Sequence, residues 1–441
     1  KGRINADQNK LRLRVNSPKI VAYGNTINLF ELDTDNKRRL YDTKLTAESV
    51  KTPYYNVSKL LLFNKTINDT LYFKSTFNGG VEDKEDFNLD FYYTINKEKL
   101  SVFGVQKSNL SFKNKRWVIN PKNNSNNKLT FDIKKTFYDF SPFQLESGNQ
   151  KIAFQGAIKD SIYKKLVADF NQVKLESILP EVDSLDIKGT LNGTIDFIQE
   201  EGLYKPKGTL TIKDFFLNDL KQGDLSMNLE GDNSLENYKV TLSLDKDEVK
   251  SIAATGNIDF SYERPIVDLS VFLEDYSLKA FSPLGEDVLS NIRGTASGNF
   301  TLKGFLGNPT MNGSLTLSNA GLTFPYLNVD YEMDGNAVIG LEDQSFFLND
   351  LILKDSKHNT YGILSGNISH LNFQSWFLNL KLSSDNLLIL DTKDSEEALY
   401  YGTGFIDGDA NIYGLTNNIT FDINAKTKPK TKFVIPLKDI A

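Results

Sequence analysis

The chain has 441 residues, 51 Lys and Arg against 57 Asp and Glu, a formal charge of −6 and 39% hydrophobic residues. With no cysteine and only two histidines, His358 and His370, it has no disulfide framework, zinc knuckle or thiol nucleophile and no supply for a multi-histidine metal centre. The acidic balance, without a long Lys/Arg stripe, removes a nucleic-acid surface from consideration, because such a surface needs clustered cations.

No run of 18 apolar residues occurs, so no segment reads as a membrane-spanning helix. The chain opens on Lys1-Gly2-Arg3 without Met and ends as Phe433-Val434-Ile435 begins another apolar stretch. It reads as a fragment of a longer polypeptide, with any anchor or export signal outside it.

In chain order the dominant pattern is apolar residues alternating with polar ones, which places the apolar side chains on one face of a strand. Leu129, Phe131 and Ile133 begin it. Leu185, Ile187, Leu191, Ile195 and Phe197 follow, then Leu225, Met227 and Leu229, and then Val240, Leu242 and Leu244. Further on come Val267, Leu269, Val271 and Leu273, and finally Trp376, Leu378, Leu380 and Leu382. Clusters such as Gly231-Asp232-Asn233 serve as turns, so the chain reads as a long antiparallel meander. Two short helices are expected. One spans Glu176 to Val182; the other is capped by Ser282, with Pro283 at its first position and Leu284, Val288 and Ile292 on one side, ending at Gly294.

A repeat of about 105 residues is the most specific feature. Ile187-Lys188-Gly189-Thr190 aligns with Ile292-Arg293-Gly294-Thr295, and at the same offset Lys207-Gly208-Thr209-Leu210-Thr211-Ile212 aligns with Asn312-Gly313-Ser314-Leu315-Thr316-Leu317. A third copy begins at Gly404. The expected division is an N-terminal segment over 1–160, repeat one over 161–270, repeat two over 271–380 and the start of a third over 381–441. Stacked strand units of this kind predict an all-β, elongated, curled antiparallel sheet with a few short helices. Glycines inside strands, at Gly189 and Gly193, Gly294 and Gly298, and Gly404 and Gly408, are expected to crease it lengthwise. Alternation does not decide whether the first 150 residues continue the same surface.

An apolar face repeated over so many strands needs a cover. It could pack as sandwiches, close into a membrane barrel, or curl into a gutter that holds a separate apolar ligand. The charged content of 24%, the absence of aromatic girdles and the absence of linkers favour the gutter.

The run Gly298-Asn299-Phe300-Thr301-Leu302-Lys303-Gly304, then Gly307-Asn308-Pro309, Gly313-Ser314-Leu315-Thr316-Leu317 and Ser318-Asn319-Ala320-Gly321-Leu322 resembles the C-terminal region of the TamB family. That family belongs with the AsmA-like, bridge-type lipid transfer proteins. The resemblance covers about Leu166 to the end. The earlier segment is similar in strand rhythm and Asn/Lys-rich composition to the TamB proteins of Bacteroidetes. Repeat one departs from the pattern, with Gln199 where the third glycine would fall.

The resemblance implies a β-taco, or repeating β-groove, in the periplasm. It also implies an N-terminal helix in the inner membrane, an outer-membrane TamA-type barrel as partner, and phospholipids with their acyl chains in the groove. No enzymatic activity and no cofactor are expected. The residues expected to line the groove are Ile187, Leu191, Ile195, Leu210, Ile212, Leu225, Met227, Leu242, Leu269, Val271, Phe300, Leu302, Leu315 and Leu317. The competing reading is a structural or adhesive β-repeat, or a chaperone that offers strand edges to barrel proteins.

Four local patterns are read as ordinary structure. Asp407-Gly408-Asp409 is expected to be a plain turn rather than a calcium loop. Glu82-Asp83-Lys84-Glu85-Asp86 is expected to be a solvated hairpin tip. Gly294-Thr295-Ala296-Ser297-Gly298 lacks the spacing and context of a hydrolase elbow. Trp117 and Trp376 are expected in packing rather than at a groove mouth.

Overall fold

The computed structural model describes the chain except residues 9, 53–54, 81–82, 113–114, 161–162, 180–185, 247–248, 286–288, 336, 372–374, 395–399 and 437–441. From the N-terminus the strands are β1 (Gly2–Asn5), β2 (Lys10–Ala22), β3 (Asn25–Asp35), β4 (Thr43–Lys51), β5 (Asn56–Ile67) and β6 (Thr70–Gly79). Then come β7 (Glu85–Ile95), β8 (Ser101–Val105), β9 (Ser108–Phe112), β10 (Lys115–Ile119), β11 (Lys128–Asp132) and β12 (Phe137–Ser147). β13 (Gln150–Ile158), β14 (Lys164–Lys174), β15 (Ile187–Glu200), β16 (Leu203–Tyr204), β17 (Lys207–Leu217) and β18 (Leu220–Gly231) follow. Next are β19 (Asn237–Lys246), β20 (Val249–Asp259), β21 (Ile266–Ser277), β22 (Ser290–Phe305), β23 (Asn308–Phe324) and β24 (Val329–Met333). The last are β25 (Ala337–Asp343), β26 (Ser345–Asp355), β27 (Tyr361–Leu371), β28 (Ser375–Thr392), β29 (Tyr401–Leu415), β30 (Asn418–Thr427) and β31 (Lys432–Val434).

All 31 strands belong to one antiparallel sheet, so the all-β expectation holds. The chain divides into two compact units, Lys1–Leu179 with Thr190–Thr211, and Pro180–Gly189 with Ile212–Ala441. Turn chemistry is as the sequence reads at Asp232, whose Oδ1 accepts the Ser234 N–H at 3.0 Å and its hydroxyl at 2.6 Å, an Asx turn between β18 and β19.

Each unit forks its sheet. In the first, β7 pairs with β8 along Phe91–Ile95 and with β9 along Asp86–Asn88. Fully buried Asn120 stitches the fork by donating from Nδ2 to the Val105 and Asn124 carbonyls. In the second, β23 pairs with β25 along Met311–Leu317 and with β24 along Gly321–Phe324.

The second unit is curled. β24 and β28 are three ladder steps apart, through β26 and β27, which in a flat sheet is about 14 Å. Yet the Tyr331 hydroxyl donates to the Leu388 carbonyl at 2.6 Å, and Asp391 N–H donates to the Leu327 carbonyl at 3.0 Å. Only a rolled sheet brings these atoms together. A second closure spans β18 to β21, also three ladder steps: Asn218, in the turn before β18, donates to the Ala280 carbonyl just after β21 at 3.0 Å.

Bulges make the roll possible. Register shifts interrupt β14 between Phe170 and Val173, β21 between Leu273 and Tyr276, and β26 between Leu348 and Leu351. Each contains a residue with left-handed φ: Gln172, Asp275 and Asp350. An extra residue of this kind bends and twists its strand, and it leaves an N–H without a ladder partner. Gln172 N–H is taken by Asn192 Oδ1 and Asp275 N–H by Ser297 Oγ, both at 2.9 Å. Ser297, the residue of the hydrolase-like run, is therefore a bulge cap in a strand. Of the six glycines expected to crease the sheet, all but Gly404 take positive φ. Another strand glycine makes the reason plainest: at Gly366 (φ +125°) a Cβ would stand 2.1 Å from the Asn379 carbonyl oxygen, so no side chain fits that close approach.

Three expectations need correction. The helix placed at Ser282–Gly294 is instead a 3-10 turn over Leu278–Gly285, with Ile292 and Gly294 in β22 and Val288 outside the described residues. Tertiary packing moves it: Leu278 and Phe281 pack onto the cores below and Ala280 is buried. The Glu176–Val182 candidate reduces to a 3-10 turn over Leu175–Ser177, and its end, like Leu185, lies outside the described residues. Asp407-Gly408-Asp409 lies within β29, not in a turn. Asp407 pairs with Lys428 at 3.0 Å and Asp409 with Lys381 at 3.7 Å. The acidic run does sit where β6 turns into β7, with Gly79 opposite Glu85 and Asp83 and Asp86 exposed; Glu82 lies outside the described residues.

At the curled margin, Asp355 is fully buried and accepts from Lys357 N, His358 N, Thr360 N and Thr360 Oγ1 at 2.9–3.1 Å. Burial would raise its pKa, but these hydrogen bonds outweigh it and hold the carboxyl below the usual range. Its stabilisation is thus present above the unfolded pKa of about 3.9 and is lost as pH falls through the lower folded value. Asp355→Asn should lower stability by about 1–3 kcal/mol at pH 7, and the gap to wild type should close towards pH 2, read from urea unfolding midpoints at each pH.

Candidate apolar binding face

Ladder registers in the second unit join apolar residues into rows. One row runs Leu225, Leu244, Ile252, Leu273, Gly298, Leu315, Ile339, Leu348, Gly366, Leu380, Ile412 and Phe421, each opposite the next. Its neighbour runs Met227, Leu242, Ala254, Val271, Phe300, Gly313, Leu341, Phe346, Ile368, Leu378, Gly414 and Ile419. Neither row contains a charged residue from β18 to β30. The intervening positions, such as Asp224, Asn228, Lys239, Thr301 and Lys303, face the other way.

The first unit carries such a row too: Leu71, Tyr93, Phe103, Leu129, Phe140, Gly156, Leu166 and Phe197. This row, from β6 to β15, is the first unit's own, with stacked Phe73–Phe91 and Phe77–Phe87 pairs at 5.0 and 4.5 Å.

Burial divides the face of the second unit at the bulge line. On one side Val329, Tyr331, Leu353, Leu387, Leu388 and Phe405 form a closed core, at most 5% exposed. This hem is held further by Arg293, whose two terminal nitrogens each donate to a different Asp330 carboxylate oxygen at 2.8 Å. Burial would raise the Asp330 pKa, but Arg293 and Thr323 outweigh it and hold the carboxyl below the usual range. On the other side the rows stay partly open. Leu225, Met227, Leu242, Leu269, Phe300, Leu302 and Leu315 are half-buried, all but Met227 packed against buried residues of the same face, while Leu244, Leu273, Ile339, Leu348 and Leu341 in the two rows are buried.

The expected lining residues fall into five groups. Those seven lie on the open face together. Val271 and Leu317 share the face but are buried, within the cores of which Leu244 and Ala296 are members. Leu191 is buried opposite Val173, which has no exposed surface; past the β14 bulge it belongs to closed packing, not to an open wall. Ile195 is 39% exposed, beside Ala168 and in one row with Phe154 at 47%. Ile187, Leu210 and Ile212 are half-buried on β15 and β17. Reading single strands missed Ile252, Met311, Ile339, Leu341, Phe346 and Ile368, which carry the same alternation. It also missed the hem, because Leu387 and Leu388 are adjacent and both buried, which period two cannot signal.

Trp117 is 3% exposed, and Trp376 stacks on Phe346 at 6.2 Å and lies tilted against His370 at 5.0 Å; both are packing residues. Burial lowers the His370 pKa. Among the described residues no group of three or more His, Asp or Glu could hold a metal, and no helix is long and apolar enough to cross a membrane.

The division predicts unequal tolerance. Leu387→Ala should cost about 2–5 kcal/mol, whereas Leu315→Ala, half-open to solvent, should cost under about half of that; urea denaturation of both variants checks it.

No curated protein and no solved structure matches the chain. Residues 349–439, from β26 to beyond β31, match the family model of the TamB C-terminal domain. By that match, the C-terminal stretch of the chain is similar to the TamB C-terminal domain.

Proposed function

We propose that the open apolar face is a lipid path: it shields the acyl chains of phospholipids while their headgroups stay in water. The observation that carries this reading is the pair of charge-free rows from β18 to β30, in which Leu225, Met227, Leu242, Phe300 and Leu315 stay half-buried beside buried Leu244, Leu273, Ile339 and Leu348. Exposing one methylene to water costs about 0.8 kcal/mol, so a chain of about 15 methylenes opposes free transfer by roughly 12 kcal/mol. A wall of Leu, Ile, Val and Phe removes most of that cost and requires no catalytic residue. The part of Phe300 and Leu315 left exposed beside the cores they pack on is supplied with a cover by the ligand.

The match of residues 349–439 to the TamB C-terminal domain supports a role in the translocation and assembly module of the cell envelope. On this reading the parent protein is anchored in the inner membrane, works with a TamA-type outer-membrane barrel, and conducts phospholipids between the two membranes through the periplasm. In the second unit the lining comprises Leu225, Met227, Leu242, Leu269, Phe300, Leu302 and Leu315, with Ile187 and Ile212; in the first unit Ile195 and Leu210 belong to that unit's own apolar face. Transfer is passive, with lipids sliding or exchanging along the wall.

A second reading rests on β30. Among the described residues it pairs with β29 alone, and Phe421 and Ile423 are more than half exposed, so it could add a strand from a barrel protein. That reading predicts dependence on the backbone of β30, not on the wall.

Native mass spectrometry with lipid extraction separates the two. Phospholipid should co-purify with the chain and should be lost from Leu315→Asp, which places an unpaired carboxylate in the path. Undiminished lipid in a folded Leu315→Asp variant, or a lipid-free wild type, would overturn the lipid path.

A further inference from the structure

In the first unit the apolar face ends, at one rim, in a row unlike the others: Phe131, Tyr138, Ile158, Lys164, Gln199 and Tyr204, each opposite the next. Lys164 brings a cation onto this face. Its Nζ donates to the Tyr204 hydroxyl at 2.6 Å and stands 5.1 Å from that ring's centre, and no carboxylate lies within ion-pair range of it among the described residues. A half-buried ammonium held by a phenol and an aromatic face, at the border of an apolar wall, has the chemistry of a snorkelling lysine.

Below Lys164 the same strand side presents Leu166, Ala168 and Phe170, with exposed Phe154 and Ile195 flanking Ala168. The stripe is closed at its far end by buried Val173 and Leu191. From Lys164 to Phe170 is about 20 Å at about 3.3 Å per residue, more than the roughly 15 Å that is half of a bilayer's hydrocarbon core. One acyl chain fits its length.

The rim around Lys164 is cationic. The hairpin tips beside it adjoin by register, and segments 96–99, 132–135, 159–164 and 200–207 carry eight Lys against five Asp and Glu. Exposed Ile95, Ile133 and Leu203 stand among these lysines, the mixture of cation and apolar side chain that suits an anionic lipid surface. In the second unit, the tips after β18, β20, β22, β25, β27 and β29 carry Arg264 as their cation.

Building on the lipid-path reading, we propose that this rim is a headgroup site: Lys164, set by Tyr204, binds the phosphate of a glycerophospholipid whose acyl chain lies along Leu166, Ala168 and Phe170. The test loads the full chain with phosphatidylglycerol or with diacylglycerol of the same acyl chains and reads occupancy by native mass spectrometry.

Wild type should prefer phosphatidylglycerol about fivefold, the factor that corresponds to about 1 kcal/mol for one lysine near a lipid headgroup. Lys164→Gln should abolish the preference while diacylglycerol still binds, and Lys164→Arg should retain it. A preference unchanged in Lys164→Gln, or a Lys164→Arg variant as indifferent as Lys164→Gln, overturns the site and leaves the lipid path standing. Displacement of the lipid by millimolar inorganic phosphate would assign the rim to free phosphate and overturn the lipid source. Failure of wild type to load either lipid overturns both readings.

Discussion

The rest of the structure depends on one constraint: a wide sheet face without charge has to be withdrawn from water, and a flat sheet cannot do that alone. The second unit meets it by rolling. The Tyr331 hydroxyl reaching the Leu388 carbonyl is the contact that turns three ladder steps into a closed margin. Behind it Leu387, Leu388 and Val329 lose essentially all exposure. Because each buried aliphatic side chain contributes roughly 1.5–3 kcal/mol, the hem supplies the stability that the open rows, left in partial contact with water, do not.

Rolling has a backbone cost, met locally. Each bulge inserts a residue in left-handed φ and frees an N–H, and the following strand supplies the acceptor: Asn192 for Gln172, Ser297 for Asp275. These pairs recur at close to the spacing of the sequence repeat. The repeat therefore encodes bends as much as apolar positions. It also explains why the face splits in two: beyond a bulge the parity of inward positions resets, and the chain there makes a dry core instead of a wall.

That reset marks the boundary of what could be read from sequence. Between bulges alternation is a direct statement about faces, so Leu225, Met227, Leu242, Leu269, Phe300, Leu302 and Leu315 were legible as one surface. Across a bulge it is not. Leu191 is two residues from Gly193 and four from Ile195, yet one is buried and the other 39% exposed. The bulge positions were hidden because Gln172, Asp275 and Asp350 look like ordinary polar strand residues, whereas glycine attracted the crease reading. Asp407-Gly408-Asp409 misled for the same reason. Gly408 is there because a Cβ would come 2.3 Å from the Asn424 carbonyl, and its acidic neighbours simply face Lys428 and Lys381. Ser282-Pro283 carries a strong helix-start signal, but the packing of Leu278 and Phe281 set the turn several residues earlier.

Glycine also decides the relief of the face. Gly298 lies between Leu273 and Leu315, Gly313 between Phe300 and Leu341, and Gly366 between Leu348 and Leu380. At Gly366 the backbone approach excludes any side chain, so a bulky residue there would push the strands apart rather than fill the row. The missing side chain leaves a lowered step about one strand, or 4.8 Å, wide, walled on both sides by leucine. Bending and relief thus have separate origins: the bulge residues Gln172, Asp275 and Asp350 let the sheet bend, while the strand glycines, which let neighbouring backbones approach closely, keep its apolar rows from being flush.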